Sequence, residues 1–143
     1  MSLNSGLSTF SAVLSFAVEI ERESATYYGA AANVAGDLAE MFANYAQRST
    51  KRQQRLVAIR QDNITEIILE PISGLDAADY QVTITPPVDR QQALAQALNL
   101  ESRAKRFYDE AELKLNVTEP RRAFQKMAQE NVERLTELNA AQG

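Results

Sequence analysis

The sequence predicts an all-α fold, a four-helix bundle made of two antiparallel helical hairpins joined by one long crossover. Three observations carry that prediction. Apolar and small residues recur at steps of three and four along four separate stretches, the spacing that gathers them on one helix face. The pattern is written twice. A shift of 80 positions brings Leu14, Ala17, Glu21, Ser24, Tyr28 and Ala31 onto Leu94, Ala97, Glu101, Ala104, Tyr108 and Ala111. A shift of 82 brings Phe42, Tyr45, Ser49, Arg52 and Leu56 onto Phe124, Met127, Asn131, Arg134 and Leu138. Finally, turn-forming residues divide the stretches at short, long and short intervals.

The first helix is expected over residues 8–35, with Ser8 or Thr9 as its cap and Gly36 as its stop. Asp37 is then placed to cap a second helix, 37–62, which can continue through the β-branched run 64–68. Pro71, Gly74, Pro86 and Pro87 crowd the next segment, so 63–88 reads as a connection with an extended stretch at 81–85. A connection of this length inside a compact domain needs a reason. Crossing from one end of the bundle to the other supplies it, since helices of this size are roughly 35 Å long. The third helix is expected over 89–115, with a break at Asn116, Val117 and Thr118. Thr118 can cap the fourth, 118–139, whose first turn suits Glu119 and Pro120. All of 1–143 then forms one domain.

Composition narrows the chemistry. With no cysteine and no histidine, the chain lacks thiolate ligands, disulfides, and the commonest general base and metal ligand. A net charge of -4 argues against a nucleic-acid partner, which needs a basic surface. The basic group Arg48, Lys51 and Arg55 sits at helical spacing and reads as a solvated helix face. The uncharged start of the first helix ends at Glu19, is preceded by no Lys or Arg, and falls short of the roughly 20 apolar residues of a membrane span. A cytoplasmic protein with no membrane partner is expected.

The repeat also marks a centre. Glu21 and Glu101 interrupt the apolar seam at matching places, among the small residues Ala17, Ser24, Ala97 and Ala104. Tyr28 and Tyr108 follow one heptad later, and the partner helices bring Ser49 with Arg52 and Asn131 with Arg134. Polar side chains aimed inward at mid-height from facing helices are how bundles build internal sites. Glu23, Glu130 and Glu133 lie off the seam and are expected to point aside.

These paired patterns, with the Phe-x-x-hydrophobic-Ala-Gln runs at 42–47 and 124–129, resemble the rubrerythrin branch of the ferritin-like superfamily. The resemblance implies a ferritin-like bundle, a homodimer, and a centre of two iron or manganese ions held by one Glu from each of two helices and a Glu-x-x-His from each of the others. Glu21 and Glu101 match the single glutamates and are the metal-ligand candidates it leaves. The remaining ligand positions hold Ser49, Arg52, Asn131 and Arg134. Arginine is always charged and has no lone pair for a metal.

Two glutamates and two arginines sum to zero charge without any ion. The expectation is therefore a lost metal centre with no cofactor, replaced by a buried network of Glu21, Glu101, Arg52 and Arg134, with bidentate Arg–carboxylate contacts. Ser49, Asn131, Tyr28 and Tyr108 would satisfy its remaining donors and acceptors. Such a network need not add net stability, although removing one partner costs about 3–5 kcal/mol. This reading is of a binding or interaction module without catalytic residues. One alternative is a dimetal-carboxylate oxidoreductase acting on peroxide or oxygen, and another is a small anion held in the bundle centre by Arg52 and Arg134.

Overall fold

The computed structural model describes residues 6–63 and 71–142. Four long helices dominate: α1 Phe10–Ala31, α2 Ala39–Asp62, α3 Arg90–Glu112 and α4 Thr118–Ala140. Short 3-10 turns at Gly36–Leu38 and Ala77–Tyr80 lie in the connections. Among the described residues no strand forms, and one isolated antiparallel bridge joins Gly6 to Asp76. None of the described helices is long and apolar enough to cross a membrane. The run 64–68, where α2 could have continued, lies outside the described residues.

Each helix begins where its chemistry allows, with two departures from the sequence reading. Thr9 caps α1 by accepting from the Ala12 amide at 3.0 Å, and Asp89 caps α3 by accepting from Gln92 at 2.9 Å. Asp37 does not cap α2. It lies inside the 3-10 turn, and its carboxylate accepts from Arg90 Nε at 2.6 Å. Thr118 is likewise the first helical residue of α4, with Val117 in the cap position and no side-chain cap. The first helix also ends at Ala31, short of Gly36. Its last amides switch to i→i−3 bonds, Asn33 to Ala30 and Val34 to Ala31, which tighten and end the helix. Gly36, at φ +60°, then supplies the left-handed turn into α2.

The extended stretch at 81–85 pairs with no strand. Val82 and Ile84 turn inward onto the core, while the Thr85 amide donates to the Gln96 side chain at 2.9 Å. A helix side chain thus takes the place of a neighbouring strand. Arg103 pins the preceding turn by donating to the Tyr80 carbonyl at 3.0 Å.

α1 packs chiefly on α2, and α3 on α4. The Ser15 hydroxyl accepts from Arg60 at 2.7 Å, and the Tyr28 ring meets Tyr45 at 5.2 Å. Two apolar clusters form the core. One gathers Phe10, Leu14, Leu56, Phe107, Tyr108 and Phe124, and the other Tyr28, Phe42, Tyr45, Leu94, Leu100 and Leu138. Full burial of such side chains stabilises by about 1.5–3 kcal/mol each. Between the two clusters lies a polar layer.

Candidate functional site

The helical repeat places Glu21 on α1 and Glu101 on α3 facing inward, and each is 1% exposed. Arg52 on α2 and Arg134 on α4 are also buried. Arg52 NH1 donates to Glu21 Oε2 at 3.1 Å, and Arg134 NH1 donates to Glu101 Oε2 at 3.3 Å. The tyrosines cross between halves. Tyr28 donates to Glu101 Oε2 at 2.6 Å, and Tyr108 donates to Glu21 Oε2. Asn131 Nδ2 donates to Glu101 Oε1, and the Ser49 hydroxyl accepts from Arg134 at 3.2 Å. All eight residues singled out by the repeat therefore meet in one layer.

The arginine contacts differ from the bidentate pairing expected. Each guanidinium reaches its seam glutamate through one nitrogen, because its other groups are drawn elsewhere. Arg52 NH2 donates to the Met127 carbonyl at 3.2 Å and to Glu130 Oε1 at 2.9 Å, with Nε on the same oxygen at 3.3 Å. Arg134 instead lies over the Tyr45 ring, 5.0 Å from its centre, a cation–π contact.

Glu130 is thus a member that sequence reasoning missed. It lies one position off the seam and is 37% exposed, but Arg52 is long enough to meet it at the rim. The available signal was an acidic residue flanking the seam beside an arginine. Glu23 does turn aside, to Arg103 at 3.0 Å. With Glu130 counted, the layer holds three carboxylates and two guanidiniums, so the neutral count applies to its buried four. The third carboxylate is partly solvated, which screens the excess charge.

The two halves are not satisfied equally. Glu101 has a partner on both oxygens, whereas Glu21 Oε1 is buried without one, as is Arg134 Nε. The difference traces to the repeat itself: Asn131 reaches the second oxygen of its glutamate, and the shorter Ser49 in the equivalent place makes no such bond to Glu21.

Burial raises the Tyr28 and Tyr108 hydroxyl pKa values well above ordinary, and the adjacent Glu101 and Glu21 charges push in the same direction. Both tyrosines therefore stay protonated and serve as donors. Burial disfavours the Arg52 charge, but Glu21 and the surrounding negative groups outweigh it and leave the pKa raised. The centre is thus a set of complementary charges and neutral donors.

The donor set does not fit a pair of dications. The carboxylates of Glu21 and Glu101 already hold guanidinium and tyrosine donors, and the two arginines bring positive charge directly beside them. Among the described residues, no three Asp or Glu side chains come together in a way that could hold a metal ion.

No family model matches this chain, and neither a curated protein nor a solved structure is similar enough to match it.

Proposed function

We propose that the chain is a rubrerythrin-related ferritin-like bundle whose dimetal centre has been replaced by the Glu/Arg network, and that it acts as a homodimeric binding or interaction module. The observation that carries this is the use made of Arg52 and Arg134. At the positions where the family comparison expects histidine, both donate to the two glutamates that match metal ligands, at 3.1 and 3.3 Å. Charge neutralisation that ions would supply in the family comes here from side chains.

The hairpin-and-crossover topology belongs to the same proposal. One apolar cluster combines the starts of α1 and α4 with the ends of α2 and α3, and the other combines the opposite ends. That distribution supports α1 and α4 running one way and α2 and α3 the other. A connection over 63–88 would then cross the length of the bundle, as in ferritin-like folds.

At Arg52, a central anion is less favoured than the Glu/Arg network. Arg52 has committed every one of its nitrogens, so an anion there would have to displace Glu21 or Glu130.

Anaerobic incubation of the purified chain with ferrous ion, followed by desalting and elemental analysis, tests the proposal. Retained iron is expected to be far below one ion per chain. About two irons per chain would overturn it and favour the dimetal oxidoreductase.

A further inference from the structure

A recess of about 280 Å³ opens between α2 and α4, on the solvent side of the Glu–Arg layer. Its walls carry Arg48, Lys51, Arg52, Arg55 and Lys126, with Glu130 as the one carboxylate among the lining residues. The α2 residues stand at i, i+3, i+4 and i+7, which turns all four cations toward one side of the helix. Lys126 meets them from α4. Read along the chain, Arg48, Lys51 and Arg55 look like an ordinary solvated face. Tertiary structure adds the fourth wall and the depth.

The charge at this place runs against the rest of the molecule. The chain carries a net charge of -4, yet five of its 15 Lys and Arg residues surround this one recess. Of the ten cations elsewhere, six form ion pairs, among them Arg90 with Asp37, Arg103 with Glu23, Lys105 with Asp109 and Arg121 with Glu112, while Arg60, Arg106, Lys114 and Arg122 form none among the described residues. Arg48, Lys51, Arg55 and Lys126 are exposed and form no ion pair among the described residues. Glu130, which Arg52 holds through Oε1, offsets only part of this charge, since one carboxylate faces four unpaired cations.

Arg52 gives the recess a rigid back wall. It is 6% exposed and held by Glu21, Glu130 and the Met127 carbonyl. All its nitrogens are in use and Glu21 and Glu130 balance its charge, so the four unpaired side chains contribute both the charge and the donors. Ala123 and Met127 form an apolar floor that limits solvent screening at the bottom. Guanidinium forks suit phosphate oxygens, and lysine suits them as a mobile point charge. The volume lies at the small end of ligand sites, which favours a compact ligand of high charge density.

We propose that this recess binds a small polyphosphate-type anion, a di- or triphosphate group either free or carried by a small molecule. The ligand would lie across the α2–α4 groove with Arg48, Lys51, Arg55 and Lys126 as its donors. Binding offsets the mutual repulsion of four unpaired cations held on one wall.

Calorimetric titration of the full chain at about 50 mM salt, where surface charges are incompletely screened, tests this. Tripolyphosphate is expected to bind one per chain. Arg55→Gln/Lys126→Gln should weaken it by at least about tenfold, the loss of two charge-assisted contacts. Arg22→Gln/Lys114→Gln removes the same two charges elsewhere and should leave affinity within about twofold. All four substituted side chains are exposed, and far-UV circular dichroism verifies folding. A nucleoside triphosphate binding through the same residues supports a carried phosphate group, and binding of tripolyphosphate alone supports a free one. Absence of saturable binding at millimolar tripolyphosphate overturns the proposal. So does equal weakening in both double variants, which marks a general charge effect, or binding of a single-stranded oligonucleotide with none of tripolyphosphate.

Discussion

Ser49 and Asn131 occupy equivalent places in the two halves of the repeat yet leave their glutamates in different states. Asn131 completes the hydrogen bonding of Glu101, while Glu21 Oε1 remains bare. A buried acceptor deprived of its partner costs about 1–3 kcal/mol, more when charged. Asn131→Ser, which gives the second half the residue used by the first, is therefore expected to lower stability by at least that amount in urea denaturation. Asn131→Asp keeps the shape but removes the donor and sets a second carboxylate against Glu101, so its loss should be larger. Equal stability of the Asp variant and the natural chain would show that the amide donor to Glu101 contributes nothing. At this scale the sequence was partly legible. Glu21, Glu101, Arg52 and Arg134 announced themselves by interrupting an apolar seam in register. Glu130 did not, because its role depends on how far the Arg52 side chain reaches across the groove, a distance that helical spacing does not contain.

Among the elements, helix starts show how local chemistry is overridden. Thr9 and Thr118 both stand before apolar-periodic stretches, and both have side chains that can cap. Thr9 accepts from Ala12, whereas Thr118 is already within α4 and caps nothing. Thr9→Ala is expected to cost about 1 kcal/mol, within the range for a lost N-cap, and Asp89→Ala about the same. Thr118→Ala should cost less than either, since alanine is the better helix former. Chemical-denaturation midpoints of the three variants check this, and a Thr118→Ala loss equal to that of Thr9→Ala would contradict the cap assignment. Asp37 shows the same competition differently. Its carboxylate could have capped α2, but the start of α3 brings Arg90 within 2.6 Å and the ion pair takes it. The extended stretch at 81–85 forms as expected but joins no sheet among the described residues. Val82 and Ile84 alternate as a strand would, and they satisfy that alternation by packing on helices.

For the whole molecule, the two-cluster core with a polar layer has a consequence that can be titrated. All five tyrosines have raised pKa values, chiefly through burial: Tyr27 to about 12, and Tyr28, Tyr45, Tyr80 and Tyr108 further. A pKa raised on folding means the native state holds its proton more tightly than the unfolded chain, whose tyrosines titrate near 10. The resulting stability is complete below about pH 10 and is lost as pH rises through the native values. Tyrosinate absorbance should therefore remain low near pH 10 while the chain stays helical, with Tyr27 first to respond and the remainder appearing with unfolding. A full tyrosine titrating near pH 10 in the helical protein would contradict this burial pattern. By itself the sequence determined the four helices, the two matching halves, and the eight polar residues of the centre. Each follows from periodicity, which is a local property carried by spacing. Only the tertiary structure decided which oxygen each arginine takes, why Glu21 and Glu101 are unequally satisfied, and that Lys126 closes a cationic recess begun by α2. These depend on side-chain reach between helices, where a difference as small as Ser49 against Asn131 determines whether a buried charge finds its second partner.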